Sequence, residues 1–166
     1  MMAYVVDTNV AVVANGRDSP QADPGCVLTC INNLQAIYNG AVIALDASGL
    51  ILGEYMDNLS MSGQPGAGDY FMKWVYNIHA NASRCEQVKI TPVPHDPSNF
   101  NEFPRDPALA KFDRKDRKFV AVALSSRNQP TILNAVDSDW AQFNSALARH
   151  GVKIKFLCPQ CVSPET

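Results

Sequence analysis

Long hydrophobic runs are missing from this sequence of 166 residues. The longest has six residues, as in Phe119 to Leu124, against the roughly 20 that a membrane-spanning helix needs. The chain therefore reads as soluble. Met1 to Val6 carry no positive n-region and run into Asp7 without a cleavage signature, so no secretory signal is visible and a cytoplasmic location is the expectation. An even set of cysteines is lacking: five residues, an odd number, in a chain long enough to bury a core without cross-links argue against a disulfide framework. A net charge of −2 excludes a uniformly basic nucleic-acid binder. Bases are nearly absent from residues 1 to 72, where Arg17 stands against seven acids, whereas residues 73 to 166 carry thirteen bases against nine acids. One acidic and one basic half in a single compact chain suggest a polar site assembled between them.

What is present alternates between strand-like and helix-like segments. Ala3 to Val6 is a continuous apolar run of the kind that forms a strand buried on both faces. Asp23-Pro24 is a helix start, followed by Val27, Leu28, Ile31, Leu34 and Ile37 at helical spacing up to the Asn39-Gly40 stop. Ala41 to Leu45 reads as a second strand, Leu50 to Leu59 and Gly68 to Ala80 as helices, and Gln87 to Ile90 as a third strand. Five prolines between positions 92 and 107 predict an irregular, functional or mobile surface segment. Asp116 to Ser125 is helical, Thr131 to Leu133 a fourth strand, Asp139 to Arg149 a helix stopped by Gly151, and Val152 to Leu157 a fifth strand. This order predicts a three-layer α/β/α sandwich with a mainly parallel five-stranded sheet, a single domain over 1–157 and a short tail over 158–166.

In such a sheet ligands bind outside the carboxyl ends of the strands. Asp7 closes the first strand, and Asp137 follows the fourth, with Asp139 two residues later. Asp116 opens an apolar helix, where the helix dipole favours a carboxylate, and Glu54 lies inside the helix after strand two. Each has a plainer reading. Asp116, Asp137 and Asp139 could be helix caps, and Glu54 a solvated face residue. Asp7 is harder to explain that way, because a carboxylate beside buried backbone is expensive unless it is paired or coordinates a metal.

The pattern resembles the PIN domain, a family of Mg2+- or Mn2+-dependent nucleases. Val5-Val-Asp-Thr-Asn-Val10 looks like its opening strand with the first catalytic Asp, followed by a polar residue, here Asn9, that helps hold the site. Leu50-Ile-Leu-Gly-Glu-Tyr55 is similar to its second motif and places the second acid at Glu54. Asp116-Arg-Lys-Phe-Val-Ala-Val-Ala-Leu124 resembles the helix that begins with the third acid, and Asn134-Ala-Val-Asp-Ser-Asp-Trp140 the Asp-x-Asp turn carrying the fourth, Asp137. The resemblance covers essentially the whole chain. Two departures are the Ala135 found where many members have Ser or Thr, and the proline-rich segment together with the Cys-Pro-Gln-Cys tail.

The resemblance implies an endoribonuclease acting on single-stranded or structured RNA, with single-stranded DNA as the other candidate substrate. It further implies the toxin role of a toxin-antitoxin pair, an antitoxin protein as partner, and a homodimer. Clustered carboxylates suit that chemistry because they hold hard cations through oxygen, which activates water and stabilises the leaving oxygen. Asp7 would be the central ligand, Glu54 and Asp116 ligands of the same Mg2+ or Mn2+, and Asp137 with Asp139 the holders of a second cation or a water. An acidic pocket repels a polyanion, so the expected phosphate contacts fall on Arg114, Lys115, Arg117 and Lys118, within a run of six bases between 105 and 118. A solvated helix face is the plainer account of that run. For Phe100, Phe103 and Phe112, packing is favoured over stacking on bases, and His95 is the one histidine worth inspecting. The rival reading of the whole is a PIN-like fold that has lost activity and serves as a nucleic-acid or protein binding module. A phosphatase with Asp7 as nucleophile would want a second acid at position 9, which is Asn9. Cys26-x3-Cys30 and Cys158-x2-Cys161 could be two halves of a zinc site, but they lie far apart in sequence, and packed thiols are common.

Overall fold

The computed structural model describes residues 1–16, 19–62 and 65–162. Arg17 and Asp18 of the charge count, and positions 163–166 of the expected tail, lie outside the described residues. Five parallel strands, β1 (Ala3–Val6), β2 (Val42–Asp46), β3 (Cys85–Val88), β6 (Thr131–Asn134) and β7 (Lys153–Phe156), form a sheet in the order β3-β2-β1-β6-β7. A separate antiparallel pair, β4 (Pro92–Val93) and β5 (Asp96–Phe100), stands between β3 and β6 in the chain. The helices are α1 (Thr8–Ala14), α2 (Pro24–Tyr38), α3 (Leu50–Asn58), α4 (Ala67–Ile78), α5 (Arg117–Ser125), α6 (Ser138–Gln142) and α7 (Asn144–Arg149). Together they complete the expected three-layer α/β/α arrangement, with the main sheet parallel throughout. Among the described residues no helix is long and apolar enough to cross a membrane.

The chain builds outward from β1 through β2 to β3, then returns to the other side of β1 with β6 and β7. That reversal leaves a crevice at the carboxyl ends of β1 and β6, the topological switch point where ligands of open parallel sheets bind. Val6 pairs with Leu133, so Asp7 and Asn134 emerge side by side. Tyr55 of α3, fully buried, donates its hydroxyl to the Val6 carbonyl at 2.5 Å and ties α3 to the end of the central strand.

Several local expectations shift. Helix α1 has no counterpart in the sequence reading: Thr8–Ala14 is short and almost uniformly apolar, so it shows no amphipathic period. The third strand begins two residues earlier than expected, at Cys85, because Arg84 donates to the carbonyls of Ile37, Tyr38 and Ala41 and fixes its start beside β2. The single helix expected over 139–149 breaks at Phe143, whose ring packs edge-on to Phe112. The proline-rich stretch contains a hairpin, in which His95 supplies the turn with a positive φ of 66°. A two-stranded ribbon leaves backbone groups unpaired along its edges, which is why Pro92 and Pro97 are tolerated there.

The expectation of no disulfide is overturned at one pair. Cys26 on α2 is bonded to Cys158, across 132 residues of sequence, with Cα atoms 5.4 Å apart. Closing a loop of that size constrains the unfolded chain by about 5 kcal/mol of loop entropy. Residues 158–162 are therefore no loose tail, and Cys158 and Val162 are buried.

Candidate metal centre

Asp7, Asp116 and Asp137 converge at the switch point, each offering a carboxylate oxygen within 4.8 Å of the other two. Asp7 is 4 % exposed and Asp116 8 %. The Asp7 carboxylate is oriented from both sides: one oxygen accepts from the Asn9 backbone N–H at 3.1 Å, the other from the Trp140 indole N–H at 2.6 Å. Trp140 is held in turn by Phe112, which also packs on Phe103 and Phe143. Both Phe103 and Phe112 are buried in this packing, as is Phe100, so none is presented to a base.

Asn9 and Asn134 latch the two strand ends together. The Asn9 amide donates to Asn134 Oδ1 at 2.8 Å, and Asn9 Oδ1 accepts from the Ala135 N–H at 2.8 Å. Asn134 also accepts from the Asp137 N–H and donates to the Asp137 carbonyl at 2.9 Å, which shapes the 134–137 turn and aims Asp137 inward. The plainer reading of Asp116 as a helix cap does not hold, because its side chain makes no capping hydrogen bond; Asp113 caps that turn through the Lys115 N–H. Asp137 does cap α6, through the Asp139 N–H at 2.9 Å, while still facing Asp7 and Asp116.

Burial pushes the Asp7 carboxyl up to about 7, with Asp137 and Glu54 adding repulsion against the lowering effect of its two hydrogen bonds. Burial also raises Asp116, to about 9, followed by the charges of Asp7, Asp137 and Asp113 and a hydrogen bond to Asp137. Asp139 is raised as well, by burial first and then by Asp137 and Asp113. Asp113, Asp116 and Asp139 form a second group with oxygens within 4.8 Å, so Asp116 belongs to both. Sequence reasoning passed over Asp113 because it stood among the bases of the 105–118 run.

The remaining expected site residues are placed differently. Glu54 is not in either acidic group: one oxygen accepts from the Thr8 hydroxyl, and the other pairs with Lys118 Nζ at 2.8 Å. The ammonium of Lys118 satisfies the charge that a shared cation was expected to satisfy. Arg117 is not available to phosphate, being 5 % exposed with its guanidinium donating to the carbonyls of Ala110 and Phe112 and to Asn99, over the Phe103 ring. Arg114 is half exposed and paired with Asp96 of the hairpin. Arg114, Lys115 and Lys118 line a groove of about 440 Å3 together with Glu54, Leu50 and Phe100. Asp46, which ends β2 just as Asp7 follows β1, is a plain cap: it accepts from Ser48 Oγ and from the N–H groups of Leu50 and Ile51.

The donor set fits a hard divalent cation. Octahedral coordination at about 2.1 Å places neighbouring ligand oxygens about 3 Å apart and opposite ones about 4.2 Å apart, which the observed spread accommodates. Without a cation the burial of Asp7 and Asp116 disfavours their ionised state, with a measurable consequence. Folded Asp7 and Asp116 hold protons up to about pH 7 and 9, whereas the unfolded carboxyls release them near 3.8. Between those values the folded chain binds more protons, so its stability falls as pH rises. In chelator, the thermal midpoint is expected to drop by several degrees from pH 5 to pH 8, and Mn2+ should remove the drop. A midpoint that rises over that range would contradict the placement of these acids.

Compared with protein families, with curated proteins and with solved structures, the chain matches none.

Proposed function

We propose that the chain is a divalent-metal-dependent nuclease of PIN type, with RNA as its substrate. The observation that carries this reading is the convergence of Asp7, Asp116 and Asp137 at the carboxyl ends of β1 and β6. Four carboxylates with Asp139, beside a groove edged by cations, match the needs of phosphodiester hydrolysis better than those of a passive binding surface.

When bound, Mg2+ or Mn2+ would neutralise charge on the phosphate and make a coordinated water more acidic. Asp7, Asp116 and Asp137 would hold it, and Asp113 and Asp139 extend the oxygen-rich surface toward a second cation. Asn9, Asn134 and Trp140 act as positioning residues that keep the carboxylates aimed at one point before substrate arrives. Arg114 and Lys115 offer charge to the phosphate backbone along the groove, while Lys118, fixed by Glu54, contributes from its floor. The resemblance to toxin components adds an antitoxin protein as the proposed partner.

The test is cleavage of end-labelled single-stranded RNA by the purified full chain. Cleavage is expected with Mn2+, and none with chelator or with Asp7→Asn. Absence of cleavage of RNA and of single-stranded DNA, together with Mn2+ binding unaltered by Asp7→Asn, would overturn the reading and favour a binding module.

A further inference from the structure

Three of the five cysteines meet at one place outside the acidic groups, and a fourth, Cys161, stands beside the same helix start. The Sγ atoms of Cys26, Cys30 and Cys158 lie within 4.8 Å of one another, and all three residues are fully buried. Cys26 and Cys30 are four residues apart on α2, so both thiols occupy one helix face at its first turns. Cys158 and Cys161 bracket a 3-10 turn closed by the Cys161 N–H on the Cys158 carbonyl at 2.8 Å. Side chains three apart on such a turn point the same way. Cys161 lies beside the start of α2, its Sγ 4.0 Å from the Asp23 carboxylate that caps the helix through the Cys26 N–H. Its thiol is also close enough to Cys30 to add to the effect of burial on that group.

We propose that, once the Cys26–Cys158 bond is reduced, Cys26, Cys30, Cys158 and Cys161 form a tetrathiolate site for Zn2+ that locks the end of the sheet to α2. One pair comes from a tight Cys-x2-Cys turn and one from the first turns of a helix, a supply of ligands that matches structural zinc sites. Tetrahedral Zn–S bonds of about 2.3 Å separate sulfurs by about 3.8 Å, inside the observed spread of three of the four. The sequence distance between the two pairs is no obstacle, because β7 delivers Cys158 directly to the start of α2. In a reducing compartment the disulfide would not persist, and the metal would then do the tethering. The chemistry balances: a dithiol reductant passes two electrons and two protons to Cys26 and Cys158 while closing to its own cyclic disulfide, and Zn2+ binding releases the four thiol protons to solvent.

The experiment uses the full chain, reduced and kept anaerobic, with Co2+ as a coloured stand-in for Zn2+. One equivalent should produce thiolate-to-cobalt charge-transfer bands and the strong visible bands of a tetrahedral ion, and one equivalent of Zn2+ should erase them. Cys161→Ser, at a partly exposed position, should weaken binding at least about a hundredfold. Cys85→Ser, on the opposite edge of the sheet, should leave the bands unchanged. Asp7→Asn should also leave them unchanged, which separates this site from the nuclease proposal, since carboxylate-bound Co2+ lacks charge-transfer bands. Absence of the bands in reduced protein, or equal bands and affinity in Cys161→Ser, would overturn the assignment.

Discussion

Asp116→Asn is expected to abolish metal-dependent cleavage and, in the same molecule, to raise the thermal midpoint of the metal-free protein. Activity falls because Asp116 belongs to both acidic groups. Losing one carboxylate from the shared position removes roughly 4 kcal/mol of transition-state charge stabilisation, about a thousandfold in rate. Stability rises for the opposite reason. Burial first, and then the charges of Asp7, Asp137 and Asp113, push the Asp116 carboxyl up to about 9, so at pH 8 the folded chain gives up a favourable ionisation available in the unfolded one. At 1.36 kcal/mol per pKa unit that penalty amounts to several kcal/mol. A neutral amide avoids it and can still donate to Asp137. A gain of about 5 °C or more at pH 8 in chelator is the expected reading, with the gain shrinking toward pH 5. A variant that is inactive but also less stable would mean that Asp116 is held for structure.

The largest loss of stability is expected from Gly68→Ala. Gly68 is the second residue of α4, where α4 crosses α1 at close range. A Cβ there would stand 1.8 Å from the Ala11 carbonyl oxygen and 2.9 Å from Asn15 Oδ1. The obstacle is backbone, so no rotamer change relieves it, and α4 must move away from α1. That movement would also stretch the Asn15–Asp69 contacts, in which Asn15 Oδ1 accepts from the Asp69 N–H at 2.9 Å. Overpacking of this kind costs about 3 kcal/mol or more, or a fall of about 6 to 12 °C in the midpoint. Denaturation of the variant in chelator measures it directly. Gly53→Ala, with open space around its Cβ position, is the control and should change little.

How much of this could be read in the chain depended on whether the signal was local. The strand ending at Asp7, the Asp23-Pro24 helix start and the stop at Gly151, with its φ of 87°, are written in neighbouring residues. The alternation of strands and helices gave the layered architecture. The convergence of Asp7 and Asp137 was legible because acids that follow neighbouring parallel strands emerge at one end of the sheet, and Asp116 because it opens the helix that leads into β6. Glu54 shows the limit: motif position brings it to the right edge, but its partner is decided by whether Lys118, 64 residues away, reaches it first. Arg117 sat in a run of bases that looked solvated, and nothing nearby announced that three acceptors would bury it. Trp140 and Asn134 were quoted only as parts of a motif, since their roles come from contacts across more than a hundred residues.

The central position of β1 carries a consequence for how the molecule assembles. β1 precedes every other strand in the chain, yet one of its two neighbours, β6, begins more than a hundred residues later. During synthesis the early strands and α1 to α4 can associate first, leaving one edge of β1 open. The open edge closes only when β6 arrives, and long-range parallel pairing of that kind is slow. The same event brings Asp137 and Trp140 to Asp7, so the acidic cluster cannot exist in a half-made chain. The clustering of these carboxylates is then a late event, set by the pairing of β6 with β1 rather than by any local segment.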